Sequence, residues 1–592
     1  MSIAGHANRL YLRSPDFDDS GLIRGPKGSH LATLTRTIVY ALVYTFCRYP
    51  MNLESDMIYP AQVRDARVAH EASGSTTMKR ISFYCCIICF LLVTPVPGQN
   101  QPVPATHDWL TWGGGPERSG WAKGETDISP SNVSRLGIKW RLKLDISPHP
   151  EILSTSTAPL VVEGVPMAGG AKDLVFVVAA DDTVYAIDAA AGTVLWKKQF
   201  PATMKPKAAA TYLCPNTQNA TPVIDKAKGI IYVITSDGRL RGLSLRSGDD
   251  LLPPTDFVPP FARTWSLNLI DGILYTPVAR GCNGTISHFA AMDLNDPARA
   301  VARFYTSAGR PAGAWGRGGL VPGPRGVYAQ TADGAYDPAA GKFGNTVMAL
   351  SPRDLRLVDS FTPSNLDFLN TKDLDLGSAS PVIFSFGDWQ LVAVSSKQAE
   401  IYLLDANSLG GADHRTPLYH ARFANDENRL WGRGVWGSMS TWEDAQGQRW
   451  LLVPIWGPVS KQAPAFEYSW GAAEEGSVMA FRVASANGTP SLVPVWRSRD
   501  MHVPDPPVIA NGVVLSIATG ENTRQGGYFP ADVRAKPASH AILYAFDALT
   551  GRELYSSGDL IDSWAHFGGL AVSRGKVYFS TWDGSVYAFA VR

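Results

Sequence analysis

The chain has 592 residues, of which 45% are hydrophobic and 18% charged, and its formal net charge is +1. This is the composition of an ordinary globular protein, and the near-zero charge gives no reason to expect nucleic acid or an acidic surface as a partner. The 55 Gly and 42 Pro point to many turns, as an all-β chain requires.

Residues 1–77 do not resemble the rest. They are polar and mixed, with one apolar run, Thr37–Phe46, too short to span a bilayer. Met78-Lys79-Arg80 then precedes Ile81–Val93, an apolar run with the length of a signal-peptide core and short for a membrane span. Pro95 to Gly98 end it. The expected reading is that Met78 is the true start, that 1–77 is a mis-called or disordered leader, and that 78–98 is a signal peptide. The mature chain is then exported, periplasmic or secreted, with no transmembrane span. Cys85, Cys86 and Cys89 fall inside the apolar run, so a lipoprotein signal is a poor fit. Cys214 and Cys282 remain. An oxidising compartment lets them pair, but the sequence does not show that they meet.

The organising stretch is Leu174–Trp196. Leu174–Ala179 is a strand rich in β-branched residues, and Ala180-Asp181-Asp182 is a turn. Thr183–Asp188 alternates as a strand, Ala189–Gly192 turns again, and Thr193–Trp196 is a strand ending in Trp. With Ala158–Glu163 upstream this makes a four-stranded up-and-down sheet, polar on neither face. Such a sheet needs copies of itself to cover it. The frame returns from Thr221, Gly272, Gly326, Ser380, Gly447, Pro506 and Gly569, and the last copy stops after three strands. The missing fourth is available in Asn132–Trp140. The expected fold is therefore all-β: an eight-bladed β-propeller of four-stranded antiparallel blades over 109–592, closed by pairing of N- and C-terminal strands, with roughly 60 residues per blade.

No CxxCH, HExxH, GxxxxGK[ST] or GxSxG occurs, and the histidines show no metal-ligand spacing. Any site must be assembled by loops meeting at the propeller axis. Two long insertions, Trp456–Ala473 and Glu521–Ser539, interrupt blades between their strands and carry Tyr468, Trp470 and Tyr528. They are expected to cover one face as a lid or partner surface. Trp431, Trp436 and Trp442 cluster before the first and read as packing.

The opening Trp109–Gly115, then Ile128–Val133 and Leu136–Trp140, resembles the entry of pyrroloquinoline-quinone (PQQ) dehydrogenases. The repeats, with VYAID…GTVLW and ILYAFD…GREL, resemble their Trp-docking blades. The likeness covers Trp109 to Arg592 and is specific for the fold. It is less specific for bound PQQ, because non-catalytic propellers of barrel assembly share the repeat. The resemblance implies Trp315, in Gly313–Gly319, as a flat floor under the quinone, although a docking Trp fits the same residue. It implies Asp333, in Thr331–Gly334, as a Ca²⁺ ligand in place of the family's Asn. Asp375 matches the catalytic general base, Asp373 its neighbour at the cofactor, and Lys397 the basic residue that holds the quinone oxygens. An ordinary turn, a solvated loop and a surface Lys are the plain alternatives for Asp333, for Asp373 with Asp375, and for Lys397.

There are departures from the family. Its vicinal Cys pair is absent, its next Arg falls near Asn219, and its ligating Glu falls near Cys282-Asn283. Two functions follow. One is a quinoprotein dehydrogenase of an alcohol or sugar that uses PQQ and Ca²⁺ and passes electrons to a separate acceptor protein. The other is a binding scaffold that kept the fold and lost the cofactor.

Overall fold

The computed structural model describes residues 106–217, 220–426, 433–522, 531–566 and 568–592. The leader and signal-peptide readings, together with Asn219, Trp431 and Tyr528, lie outside the described residues.

The stretch from Leu160 folds as expected. Strands Leu160–Met167, Gly170–Val178, Thr183–Asp188 and Val194–Gln199 pair in order, all antiparallel. Thr183–Asp188 is buried at every position, so both faces of this sheet pack against neighbours. The turns carry the local chemistry that closes them. Asp181 Oδ1 accepts from the Thr183 amide at 3.1 Å, and Gly192 sits at φ +71, where a side chain is disfavoured.

Eight such sheets form the ring. In chain order the blades occupy 160–199, 223–256, 263–305, 321–361, 382–422, 434–497, 508–556 and 571–591. The eighth blade supplies three strands itself and takes its fourth from Leu136–Lys143, which pairs antiparallel with Ser585–Val591 from Leu136↔Val591 to Lys143↔Ser585. Closure leaves no open seam in the ring. The blades are not all four-stranded: the third has five strands and the sixth has six. One of the two extra strands in the sixth, Tyr468–Ser469, comes from the Trp456–Ala473 insertion and runs parallel to the blade's outer strand. That insertion lies along the flank of the ring. Phe466 packs on Phe423 and Phe481 at 6.4 and 5.7 Å, and Trp470 Nε1 donates to the Thr550 carbonyl at 2.8 Å. Its Tyr468 and Trp470 remain partly exposed, at 38% and 37%.

Adjacent blades are locked by indoles. Trp140, Trp196 and Trp496, each on an outer strand, donate from Nε1 to the carbonyls of Ala189, Leu245 and Ala548 in the next blade's last turn, at 3.1, 3.0 and 2.9 Å. Each ring lies against a turn glycine: a Cβ at Gly192, Gly248 or Gly551 would fall 2.5–2.7 Å from the indole. The glycine that shapes the turn thus also makes the seat for the Trp.

The opening Trp109–Gly115 forms no regular strand; with the residues that follow it forms a plug. Trp109 exchanges backbone bonds with Val161 in the first blade, Leu110 accepts from Ile224 in the second, and the Ala122 amide reaches Ile509 in the seventh. The segment therefore spans the axis. Arg118 is fully buried within it and donates to Thr111 Oγ1, Trp112 O and Leu267 O at 2.6, 2.6 and 2.7 Å. Burial pushes its guanidinium down to about 9, still charged at neutral pH.

Candidate functional site

Successive antiparallel strands alternate direction, so the turn after each blade's second strand and the link into the next blade's first strand emerge on the same end of the ring. The residues of the axial cavity come from these loops and from the strand ends beside them. The cavity measures about 320 Å³, within the range of a small-molecule site.

Trp315 stands in the link into the fourth blade and is 6% exposed. Its Nε1 donates to Asp375 Oδ2 at 2.7 Å. Asp373 and Asp375 lie in the link into the fifth blade. There Asp373 ends the short helix Leu366–Lys372 in the left-handed region at φ +52, a conformation Asp tolerates better than most residues. Asp333 follows the fourth blade's second strand. Two features hold it beside the other carboxylates. Asn370 clamps the turn, accepting from the Gly334 amide and donating to the Gly334 carbonyl at 3.1 and 3.0 Å. Gly377 admits close backbone approach, since a Cβ there would fall 2.5 Å from the Ala332 nitrogen. Lys397 follows the fifth blade's second strand, with its Nζ 2.6 Å from Asp375 Oδ1 and 2.8 Å from Asp373 Oδ1.

The structure thus brings all five sequence-selected residues together. Carboxylate oxygens of Asp333, Asp373 and Asp375 lie within 4.8 Å of one another. Burial, reinforced by the neighbouring charges of Asp375 and Asp373, pushes Asp333 up to about 7. Burial also raises Asp373, with Lys397 opposing it. For Lys397, burial disfavours the charge, but the carboxylates of Asp375 and Asp373 outweigh it and hold the amine above the usual lysine range. Three carboxylates against one ammonium leave excess negative charge. Asp333 Oδ1 is buried without a partner. That combination fits a hard cation with oxygen ligands.

Trp315 is already covered by cations. The Arg280 guanidinium lies 4.6 Å from its ring centre and Lys397 Nζ 5.3 Å. Trp436 meets it edge-on at 4.8 Å and stacks on Trp456 at 4.7 Å. Trp436 therefore belongs to the cavity, whereas Trp442 packs in the core between the sixth and seventh blades. Trp315 is not a docking Trp, because its indole N–H is bound to a carboxylate and not to the next blade's turn.

The opposite wall was not anticipated. The guanidinium groups of Arg263 and Arg317 lie 4.8 and 5.0 Å from the Trp265 ring centre, and the buried Trp265 Nε1 has no acceptor among the described residues. Burial, with Arg317 and Arg280 nearby, lowers Arg263 to about 9, and burial lowers Arg317 to about 10. Glu521, 1% exposed, bridges Arg534 and His566, the latter at 2.7 Å. Burial takes His566 down to about 4 despite this carboxylate, so the imidazole is neutral at pH 7. The Glu521–Ser539 insertion thus supplies Glu521 and Arg534 to the hub. One signal in the sequence did mark this wall. Arg280 follows the third blade's second strand, the slot that Asp333 and Lys397 fill in the next two blades.

The family's carboxylate slot near Cys282-Asn283 serves another purpose. Cys214 and Cys282 form a disulfide. Asn283 Oδ1 accepts from the Lys207 and Ala208 amides at 2.8 and 3.1 Å, and its Nδ2 donates to Asn216 Oδ1 at 2.9 Å. Together they strap the 201–217 loop onto the third blade, where Tyr212 and Leu213 line the cavity.

Among the described residues no helix is long and apolar enough to cross a membrane. Residues 139–253 match the family described as outer membrane protein assembly factor BamB. Two quinohemoprotein alcohol dehydrogenases of Pseudomonas putida, ADH-IIG and ADH IIB, are 26% and 29% identical over 187 residues, 31% of this chain. The match spans about a quarter of those relatives (23% and 24%). A europium-containing methanol dehydrogenase superposes with a TM-score of 0.55 over 83% of this chain and 98% of its own, at 13% identity. The ADHIIG structure gives 0.53 over 82% and 80%, at 14% identity. These superpositions carry the fold. The repeat and the closed ring of eight blades make this chain a β-propeller with PQQ-type repeats, and part of its sequence is similar to quinohemoprotein alcohol dehydrogenases.

Proposed function

We propose that the chain is an exported quinoprotein dehydrogenase that oxidises an alcohol or sugar with PQQ and Ca²⁺. The observation that carries the reading is the convergence of Trp315, Asp333, Asp373, Asp375 and Lys397 at the hub, where Trp315, Asp333 and Asp373 line two adjoining cavities, Lys397 the first and Asp375 the second. They come from four separate loops of the fourth and fifth blades. The relatives in Pseudomonas putida, named as quinohemoprotein alcohol dehydrogenases, support it.

The hub fits both groups. Asp333 would hold the cation through its unpartnered Oδ1, with Asp373 and Asp375 beside it. Arg263, Arg317 and Arg534 give the chamber the positive wall a multiply acidic planar molecule needs, and Trp265 and Trp315, each under two cationic side chains, line it. When bound, the quinone supplies the hydride acceptor and the cation a Lewis acid. The chain's own residues position the proton transfer. Trp315 fixes Asp375 Oδ2, which leaves Oδ1, beside Lys397, to take the alcohol proton. The Lys397 ammonium favours negative charge developing near it.

The Cys214–Cys282 bond supports export to an oxidising compartment. The 592-residue sequence carries no CxxCH, and on this reading electrons pass to a separate acceptor protein. Mixing the metal-free chain with PQQ and Ca²⁺, then recording the absorbance spectrum and dye-linked oxidation of an alcohol panel, tests the reading. Quenching of tryptophan fluorescence and turnover are expected; absence of PQQ binding overturns it. The second reading, a binding scaffold without cofactor, is favoured by the BamB family match over 139–253. That segment contains none of the five hub residues.

A further inference from the structure

A second cavity of about 450 Å³ adjoins the hub. The two share five residues: Arg280, Arg310, Trp315, Asp333 and Asp373. Asp375 lines the second cavity and not the first. The carboxylate read as the base therefore faces this side chamber. Much of the remaining wall is small: Pro311, Ala312, Gly313, Ala332, Gly334 and Ala335. Such a wall leaves room and does little to select by shape.

Selection is left to charge. Arg263, Arg317, Lys397 and Arg534 line the hub alone, whereas Arg280 and Arg310 line both cavities. Arg280 is built into its place. It holds φ +72, followed by Gly281 at φ +67, a left-handed pair that is costly for arginine. This bend puts the guanidinium over the Trp315 ring at 4.6 Å. Gly281 in turn gives room to Arg310, since a Cβ there would fall 2.9 Å from Arg310 Cβ. Among the described residues neither Arg280 nor Arg310 has a carboxylate within ion-pair distance, although other surface arginines such as Arg325 and Arg574 do. Arg280 and Arg310 both line the two cavities and form no ion pair among the described residues, so their positive charge, which from Arg280 also acts on Asp373, attracts an anion.

We infer that the side chamber takes an alcohol that also carries a carboxylate, a hydroxy acid. Its carboxylate lies on Arg280 and Arg310 and its hydroxyl is directed at Asp375. The negative charge of the aspartate cluster repels a second anion at the reacting end, so the acid group and the hydroxyl sit at opposite ends of a short chain. The inference rests on the dehydrogenase reading for its chemistry, and on the two arginines alone for anion binding.

Two measurements separate these. First, butyrate and 1-butanol are titrated against the cofactor-free chain, with tryptophan fluorescence as the readout. Butyrate is expected to bind about tenfold more tightly, the scale of one charge-assisted contact. Arg310→Gln and Arg280→Gln should each remove that difference. Secondly, the chain loaded with PQQ and Ca²⁺ is given 4-hydroxybutyrate and 1-butanol. The hydroxy acid should show the lower KM, and Arg310→Gln should narrow the ratio through KM and not kcat. Equal binding of butyrate and butanol, or a preference unmoved by both substitutions, overturns the inference even if neutral alcohols are oxidised. Arginine-dependent butyrate binding without oxidation of any alcohol upholds the anion site and overturns the dehydrogenase reading.

Discussion

The indole N–H of Trp315 donates to Asp375 Oδ2 at 2.7 Å, across 60 positions of sequence. The bond joins the link into the fourth blade to the link into the fifth. Trp315→Phe keeps the ring and removes the donor. On the dehydrogenase reading it lowers kcat with a smaller change in PQQ affinity, because the carboxylate loses its fixed orientation. Asp375→Asn removes the base and should cost about 10²–10⁴ in kcat. Dye-linked rates beside PQQ titrations by fluorescence check both. Equal losses of affinity and rate in Trp315→Phe would mean that the indole serves only to bind.

The indole seats offer a clean comparison. Gly192 and Gly164 have nearly the same φ, +71 and +69. An added Cβ at Gly164 meets nothing within 4 Å, whereas at Gly192 it would lie 2.6 Å from the Trp140 ring. Both alanine variants share the left-handed strain of about 1–2 kcal/mol. Gly192→Ala should cost a further ~1–3 kcal/mol for overpacking between blades. Urea melts of the two variants read the difference directly, and equal midpoints would refute the docking role.

The disulfide closes a loop with a sequence separation of 68. On the chain-entropy account a loop of that size is worth about 4 kcal/mol. The double variant Cys214→Ser, Cys282→Ser should lower the thermal midpoint while leaving the strand content of the circular-dichroism spectrum intact, since the ring is closed elsewhere by Leu136–Lys143. Proteolysis should then cut first in 201–217, where Asn283 alone retains the strap.

Asp182 is 3% exposed in a turn of the first blade and accepts from the Ser236 amide at 2.9 Å. Burial raises it to about 7, against the help of Ser236. A raised folded-state value means that the folded chain holds more protons than the unfolded one between about pH 4 and 7. Stability from this group is therefore present at pH 4 and is lost as the pH rises through 7. Asp182→Asn removes that slope and should be the more stable variant at pH 8, by roughly 2–4 kcal/mol. Urea melts at pH 5 and pH 8 measure it, and a wild-type midpoint that rises over this interval relative to Asp182→Asn would contradict it.

Much of the fold was legible because its causes are local. Alternation of period two marks the strands, and a turn needs its Asp or Gly within a few positions. Repetition of that frame forces neighbours to cover both faces. The unpaired fourth strand of the last copy then has one partner of the right pattern, and Leu136–Lys143 takes the place. The two extra-stranded blades escaped notice because a two-residue strand such as Tyr468–Ser469 has no period to detect.

The site divides differently. Trp315, Asp333, Asp373, Asp375 and Lys397 could be picked out because a family motif surrounds each. The arginines could not, since Arg263 and Arg534 belong to different blades and carry no motif. Only the ring brings them to one chamber, because loops distant in sequence share an end of the propeller. The same holds for Cys214 and Cys282, and for Asn283, which fills a metal-ligand slot but ties down a strap. Local periodicity determined the strands and the closure of the wheel, whereas tertiary convergence decided which charges face each other at its hub.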